Sequence, residues 1–268
     1  MNIELILVYS IILIFFCLEY FLHYKFVNTI CPDLTEKQKA HILSIKNTLG
    51  MCLIGLYFNY HYFTSKCNET LYFTNLESKG GMDFGKVIVL YFTAYLIMDL
   101  YIGHYDYRKY MHTLTSYFHH TIYCFINMIS LYFGIFPVYL LHMFSELPAF
   151  IMGIGQFDIK YRNDNLFGLT FFLTRILYHI YLTWTFRHNN IVLGLSLATL
   201  TLHFYWFKGW ITKYFINNKD PTKSKNTKSK DPSQSKACFG FETKSKNSNL
   251  KNTKLKNSKL NTTKRKKK

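Results

Sequence analysis

The sequence lacks the closely spaced cysteines from which disulfide frameworks and zinc sites are built. Its six cysteines lie far apart, with no Cys-x-x-Cys pair among them: Cys17, Cys31, Cys52, Cys67, Cys124 and Cys238. Neither a disulfide framework nor a cysteine zinc site follows from this spacing. The chain also has no Gly-rich nucleotide loop, no Ser-His-Asp order and no channel filter, so none of these chemistries is indicated.

Acidic residues are scarce at the C-terminal end, where positive charge collects. Residues 217–268 contain 17 Lys or Arg and three acidic residues, whereas residues 1–216 contain 15 basic and 12 acidic residues. A nucleic-acid-binding protein would need basic residues spread over a folded face, so we expect no nucleic-acid partner. Because the tail offers little to bury, we expect it to be disordered and cytoplasmic. It could be simply solvated, bind anionic lipids, or end in a dilysine-type retrieval signal at 264–268.

Long apolar runs fill the rest of the 268-residue chain, in which 19% of residues are aromatic. About 20 apolar residues in a helix cross the roughly 30 Å of membrane hydrocarbon. Seven runs approach this length: 3–22, 48–63, 84–103, 118–136, 138–155, 166–185 and 190–207. The first has Glu4 where a signal peptide has basic residues, which favours a retained anchor. The sequence therefore predicts an all-α, polytopic transmembrane helix bundle of about seven spans.

Basic residues near the ends of the spans orient the bundle. With the tail in the cytoplasm, seven spans place the N-terminus on the opposite side, and the inside loops carry eight basic residues against four outside. Asn68, in the sequon Asn68-Glu69-Thr70, then lies in an outside loop as a glycosylation candidate.

Ionisable side chains within the apolar runs are costly and usually mark a site. Five lie inside or at the ends of predicted spans: Asp99, His119, His120, Glu146 and Arg175. His142 and His179 are four residues from Glu146 and Arg175, so each shares its neighbour's helical face. We predict a common polar cavity in the membrane. Its candidate catalytic residues are His119, His120 and Glu146. Its candidate lipid-cavity residues are Asp99, His142, Arg175 and His179.

Each of these residues also has a simpler structural interpretation. Glu146 and Arg175 could be an ion pair between helices, and Asp99 could be hydrated at the interface. A metal site is conceivable from four ligands, which would be His119, His120, His142 and Glu146. Because nothing in the sequence fixes their distances, we predict no metal. Pro148 cannot donate to the helical ladder and should kink the fifth span there.

Five motifs follow one another in a characteristic order. They are Tyr95-Leu96-Ile97-Met98-Asp99-Leu100, His119-His120-Thr121, Ser145-Glu146-Leu147-Pro148-Ala149-Phe150, Phe171-Phe172-Leu173-Thr174-Arg175-Ile176 and Leu202-His203-Phe204-Tyr205-Trp206-Phe207. This order resembles the TLC domain, and most closely the small TLC-domain-containing proteins with a Glu-Leu-Ser-x-Pro-like motif. More distantly, it resembles the ceramide synthases. The resemblance divides the chain into an anchor helix and loop (1–39), a TLC domain (40–216) and the basic tail (217–268).

The resemblance implies a multi-pass protein that acts on or responds to membrane lipids. Its location would be the endoplasmic reticulum, or a host membrane if the chain is of viral origin. We therefore expect a lipid-homeostasis protein that binds lipid or fatty acyl chains in the polar cavity and uses no cofactor. A structural or trafficking role is a weaker possibility.

The alternative is an enzyme, a ceramide-synthase-like N-acyltransferase with acyl-CoA as its substrate. In ceramide synthases a His-His pair and two aspartates on the next helix surround the site. His119 and His120 match the pair, and Glu146 falls about where the first aspartate would be. However, Ala149 occupies the second position, and Tyr123 stands where those enzymes have a threonine. In this reading a histidine is the general base or acyl acceptor, and Glu146 orients its imidazole.

Overall fold

The computed structural model describes residues 3–111 and 113–216, and within these ranges the chain is helical and contains no β-strand. The α-helices are α1 (Ile3–Ile30), α2 (Glu36–Thr64), α3 (Glu69–Ser78), α4 (Gly81–Asp106), α5 (His119–Tyr132), α6 (Phe136–Leu141), α7 (Leu147–Phe157), α8 (Asp164–Phe171), α9 (Tyr178–Thr185) and α10 (Asn190–Ile211). The predicted all-α class is confirmed for these residues. The tail 217–268, with its predicted disorder, lies outside the described residues.

Within the described ranges, six helical stretches are long and apolar enough to cross a membrane: Ile3–Ile30, Glu36–Thr64, Gly81–Asp106, Phe136–Phe157, Asp164–Thr185 and Asn190–Tyr214. They support a membrane protein with transmembrane helices and coincide with six of the seven predicted spans. The predicted span 118–136 is not among them, so the count of seven is not confirmed. Its helix contains His119, His120 and Asn127, and these polar side chains lower its hydropathy.

Regular α-helical hydrogen bonding is interrupted next to several of the helices. A π-helical segment, Thr113–Phe118, leads into α5, and another, Phe172–Leu177, joins α8 to α9. A 3₁₀ segment, His142–Glu146, joins α6 to α7. Pro148 is the second residue of α7 and has no N–H to donate to the preceding turn, which accounts for the tighter 3₁₀ geometry there. The structure thus has a change of helix type directly before Pro148, and the kink predicted there stays a prediction.

Polar side chains fix where helices begin. Thr35 and Gln38 form a reciprocal capping box at the start of α2. The side-chain oxygen of Asn68 accepts the N–H of Leu71 at 2.9 Å and so caps α3. Asn68 is exposed, and its glycosylation stays a prediction.

Helix α2 lies against much of the bundle, packing on α4, α6, α7 and the 3₁₀ segment, whereas α1 packs mainly on α4. Helix α2 approaches the 3₁₀ segment closely at Gly55, where a Cβ atom would lie 2.4 Å from the backbone nitrogen of Phe144. Only a residue without a side chain lets the 3₁₀ segment approach this closely. The interior of the bundle is largely aromatic, and the largest fully buried rings are Tyr20, Tyr62, Tyr72, Phe58, Phe136 and Phe186.

A buried hydrogen-bonded group, which we call the Asn59 cluster, joins three segments beside the 3₁₀ turn. It consists of Asn59, Gly55, Leu141 and Tyr178. The amide nitrogen of Asn59 donates to the carbonyl oxygens of Gly55 at 2.8 Å and Leu141 at 3.1 Å. The hydroxyl of Tyr178 donates to the amide oxygen of Asn59. Each polar atom of the Asn59 side chain is therefore satisfied inside the bundle, which a polar residue away from water requires.

Candidate functional site

Four of the predicted site residues border one cavity of about 140 Å³ between α2, α4, α5, α7 and α10. They are His119, His120, Glu146 and Arg175. Aromatic side chains form much of the remaining wall, among them Phe92, Tyr95, Phe171 and Trp206. The predicted convergence of the histidine pair with Glu146 and Arg175 is therefore present in the fold.

A second, smaller cavity of about 60 Å³ lies next to the first. It is bordered by His142, Glu146, Arg175 and His179. Aliphatic side chains make up much of its remaining wall, including those of Ile126, Val138, Val192 and Leu195. Six of the seven predicted residues thus border these two neighbouring cavities, rather than the single cavity that we predicted.

Glu146 and Arg175 border both cavities and therefore stand between them. The side chain of Arg175 is 10% exposed and that of Glu146 is 14% exposed. The Nε of Arg175 donates to the carbonyl oxygen of Ser145 at 2.8 Å, and its Nη2 lies 3.4 Å from Glu146 Oε1. The 3₁₀ segment carries Glu146 and a π-helical segment carries Arg175. Both residues thus lie where regular α-helical hydrogen bonding is interrupted. π-Helical segments, such as the one that carries Arg175, are frequent at functional sites.

Asp99 is not among the residues that border either cavity, but it contacts His120. Its Oδ2 lies 3.1 Å from His120 Nδ1, with 22% and 12% of the two side chains exposed. The two atoms are within ion-pair distance, although the ring N–H is not aligned for a hydrogen bond. Asp99 therefore supports the histidine pair from α4, a role the sequence reasoning assigned to Glu146.

His119 lies between aromatic rings rather than beside a carboxylate. Its ring centroid is 4.4 Å from that of Tyr123 and 5.1 Å from that of Trp206. Within residues 3–111 and 113–216, neither His119 Nδ1 nor Trp206 Nε1 has a hydrogen-bond partner, and both atoms are buried. Two polar atoms on the wall of the larger cavity are thus left to meet water or a ligand.

His203 is a site residue that the sequence reasoning did not select. Its Nδ1 lies 3.1 Å from the carbonyl oxygen of Arg175 and 3.2 Å from His179 Nδ1, and its Nε2 lies 3.4 Å from the hydroxyl of Tyr123. His179 Nε2 lies 3.3 Å from the hydroxyl of Thr199. The sequence carries one signal for His203. The residue lies inside the last apolar run, where any ionisable group is a candidate site residue.

One assignment of protons is consistent with these contacts, with the single His203 Nδ1–H shared between the Arg175 carbonyl and His179 Nδ1. If His203 Nδ1–H donates to the Arg175 carbonyl, its Nε2 accepts from Tyr123, and His179 Nδ1 is an acceptor. His179 Nε2–H then donates to Thr199. Both imidazoles are neutral in this assignment. His203 thus holds the backbone of Arg175 in place from α10.

The predicted residues do not assemble a metal centre. Among the described residues, no group of three or more His, Cys, Asp or Glu side chains is placed to hold a metal ion. The conceivable ligand set is divided, because His119 and His120 border only the larger cavity and His142 borders only the smaller one.

Comparison with known proteins provides no relative for this chain. No protein-family model matches it, and neither a curated protein nor a solved structure matches it. The resemblance to the TLC domain therefore rests on the order of the five motifs in the sequence.

Proposed function

We propose that this chain is a TLC-type membrane protein of lipid homeostasis, which binds lipid or fatty acyl chains at the two neighbouring cavities. The observation that carries the proposal is the buried Glu146–Arg175 pair at the junction of cavities with largely apolar walls, inside a bundle of membrane-length helices. A polar centre within apolar walls suits a molecule with a polar group and a hydrocarbon chain.

The size of the cavities limits which part of the lipid they hold. The larger one, at about 140 Å³, is comparable to an engineered cavity of about 150 Å³ that accepts benzene. A space of this size takes the polar end of a lipid or a short part of its chain. The rest of the chain would extend between helices into the surrounding hydrocarbon.

A second candidate function is N-acyl transfer from acyl-CoA, and the contact between His120 and Asp99 favours it. A carboxylate in contact with an imidazole can orient the ring, as a general base requires. In this function His119 or His120 would be the base or the acyl acceptor. Asp99 would orient the imidazole, while Glu146 remains with Arg175.

The experiment that tests the lipid function is mass spectrometry of lipids that copurify with the full chain in detergent, together with lipid profiles of cells with and without it. We expect bound lipid or fatty acid, and a broad shift in phospholipid chains. A change confined to ceramides, lost in His120→Ala and Asp99→Asn, would favour the acyltransferase. Absence of any bound lipid and of any change in the profiles would contradict both functions.

We also propose the endoplasmic reticulum as the location, with the tail in the cytoplasm and Asn68 on the opposite side. This orientation needs a seventh crossing. The segments Thr113–Phe118 and His119–Tyr132 together form 20 residues of helix, about 30 Å at 1.5 Å per residue. Their length thus permits a crossing, although their polar residues lower the hydropathy. Protease treatment of intact vesicles should digest the tail, and a protected tail would contradict the orientation.

A further inference from the structure

Arg175 is a buried cation whose hydrogen-bonding capacity is only partly used. A guanidinium has five N–H groups, and in the described part of the chain Arg175 makes two hydrogen bonds, to Ser145 at 2.8 Å and to Glu146 at 3.4 Å. Charge-assisted bonds between a guanidinium and a carboxylate are usually about 2.7–2.9 Å long and often occur in pairs. Glu146 therefore holds Arg175 by one long contact, where a carboxylate could make two short ones.

We propose that Arg175 binds the carboxylate of a free long-chain fatty acid, which replaces Glu146 as its partner. This inference rests on the proposed lipid function and names the class of ligand. The bond from Arg175 Nε to the Ser145 carbonyl fixes the base of the guanidinium, so its Nη1 and Nη2 groups remain for the incoming carboxylate. An ester, an alcohol or a thioester carries no carboxylate and cannot make the exchange.

The exchange leaves the net charge of the site unchanged. This favours the exchange, because an uncompensated charge in a buried site is costly. The fatty acid enters from hydrocarbon in its neutral form, because desolvation favours the protonated carboxyl. Its O–H bond breaks as the carboxylate forms on Arg175, and the proton forms a new O–H bond on Glu146. One carboxylate still faces one guanidinium, and the neutral Glu146 is released from the pair.

The same exchange connects the two cavities. Among the described residues, Glu146 and Arg175 are the two that border both spaces. When Glu146 leaves the guanidinium, the barrier between the cavities loses one of its two side chains. The smaller cavity offers the aliphatic walls of Ile126, Val138 and Leu195 to the beginning of the acyl chain. The larger cavity keeps the histidine pair near the carboxyl end.

The test compares binding of palmitic acid, methyl palmitate and hexadecanol to the full chain in detergent or nanodiscs. We expect the acid to bind about tenfold or more tightly than the ester and the alcohol, as expected from a charge-assisted hydrogen bond. Glu146→Gln removes the competing carboxylate and should tighten binding of the acid. Arg175→Gln should reduce binding of the acid to the level of the ester.

A matched control is the ion pair between Lys46 and Glu19 on α2 and α1, which has an N–O distance of 2.7 Å and lies outside both cavities. Glu19→Gln should leave the preference for the acid unchanged.

A further measurement uses infrared spectra of bound ¹³C-carboxyl palmitic acid, which should show an ionised ligand carboxylate and a protonated protein carboxyl. The protonated band should disappear in Glu146→Gln.

The outcomes separate this inference from the function on which it rests. If the acid, ester and alcohol bind equally, lipid binding stands and the inference is overturned. Equal weakening in Glu146→Gln and Arg175→Gln, with both proteins folded, would also overturn it, because a purely structural pair behaves in that way. If none of the three probes binds the unmodified protein, the proposed function itself fails. Should the variants fail to fold, the ligand comparison and the infrared spectrum of the unmodified protein still decide the question.

Discussion

The Asn59 cluster and the Glu146–Arg175 pair are both buried and polar, and both involve the break between α6 and α7, yet they are bonded differently. Asn59 donates twice and accepts once, so its side chain is saturated by the protein. Arg175 has only one long contact with the neighbouring carboxylate, and it lies on the walls of two cavities. The saturated cluster holds helices together, whereas the unsaturated pair has bonding capacity left for a ligand.

The largest effect is expected from a substitution that pushes the 3₁₀ segment away from α2 and so disturbs the comparison between the Asn59 cluster and the Glu146–Arg175 pair. Gly55→Ala places a methyl group 2.4 Å from the backbone nitrogen of Phe144, so the 3₁₀ segment must move away from α2. We expect a loss of about 3 kcal/mol in stability and weaker lipid binding, because Glu146 moves with the segment. The control is Gly50→Ala in the same helix, where nothing lies within 4 Å of the added atom. Thermal unfolding in detergent should show no loss for the control; equal losses in both variants would contradict the packing argument.

A smaller effect is expected from removing the centre of the saturated cluster. Asn59→Leu leaves the Leu141 carbonyl and the Tyr178 hydroxyl without their partner, and should cost about 2 kcal/mol. Lipid binding per folded molecule should be nearly unchanged, because Asn59 borders neither cavity. Tyr178→Phe removes one bond of the cluster and should cost less. A loss of binding without a loss of stability would show that the cluster belongs to the site.

His203→Phe tests whether the support behind Arg175 contributes to the site. It removes the contacts to the Arg175 carbonyl and the Tyr123 hydroxyl while keeping a ring of similar size. We expect a stability loss of about 1 kcal/mol and a weaker preference for palmitic acid over its methyl ester. Thermal unfolding and the ligand comparison measure the two effects separately. An unchanged preference would mean that Arg175 is held without His203.

The smallest effect on stability is expected from Asp99→Asn, since both side chains of the contact with His120 are partly exposed. A loss of less than about 1 kcal/mol fits such a pair. Binding of palmitic acid should not change, because Asp99 borders neither cavity. If acyl transfer is the activity, its rate should fall more than binding does. A change in acid binding would place Asp99 with the Arg175 pair.

Among the described residues, six of the seven spans predicted from hydropathy coincide with membrane-length helices, but hydropathy did not locate the helix ends. Helix α2 begins at Glu36, twelve residues before the predicted span 48–63. The extra turns contain lysines, which a hydropathy search rejects. In the fold Lys46 pairs with Glu19 on α1, and the capping box of Thr35 and Gln38 starts the helix. Such pairs depend on which helices are neighbours, which one sequence does not reveal.

The candidate site was also predictable only in part: the sequence identified its residues but not their partners. The cost of ionisable groups in apolar runs identified the seven residues, and Pro148 located the break near Glu146. The partners were not predictable, because they depend on packing: α4 lies beside α5 and brings Asp99, rather than Glu146, to His120. His203 was missed because a single histidine on an aromatic face has no distinctive spacing, and its role depends on its contact with Arg175.

The position of α1 at the margin of the bundle has a consequence for biosynthesis. Few residues of this helix are fully buried in the bundle, and its main packing partner is α4, which ends at Asp106. At about 5–20 residues per second, a ribosome needs several seconds to complete α4 after α1. During that interval α1 must remain in the bilayer without its partner. Its aliphatic and aromatic residues are stable in contact with lipid alone, so α1 can insert first. Helix α4 can then pack against it, and the Tyr24 hydroxyl can donate its hydrogen bond to Asp106.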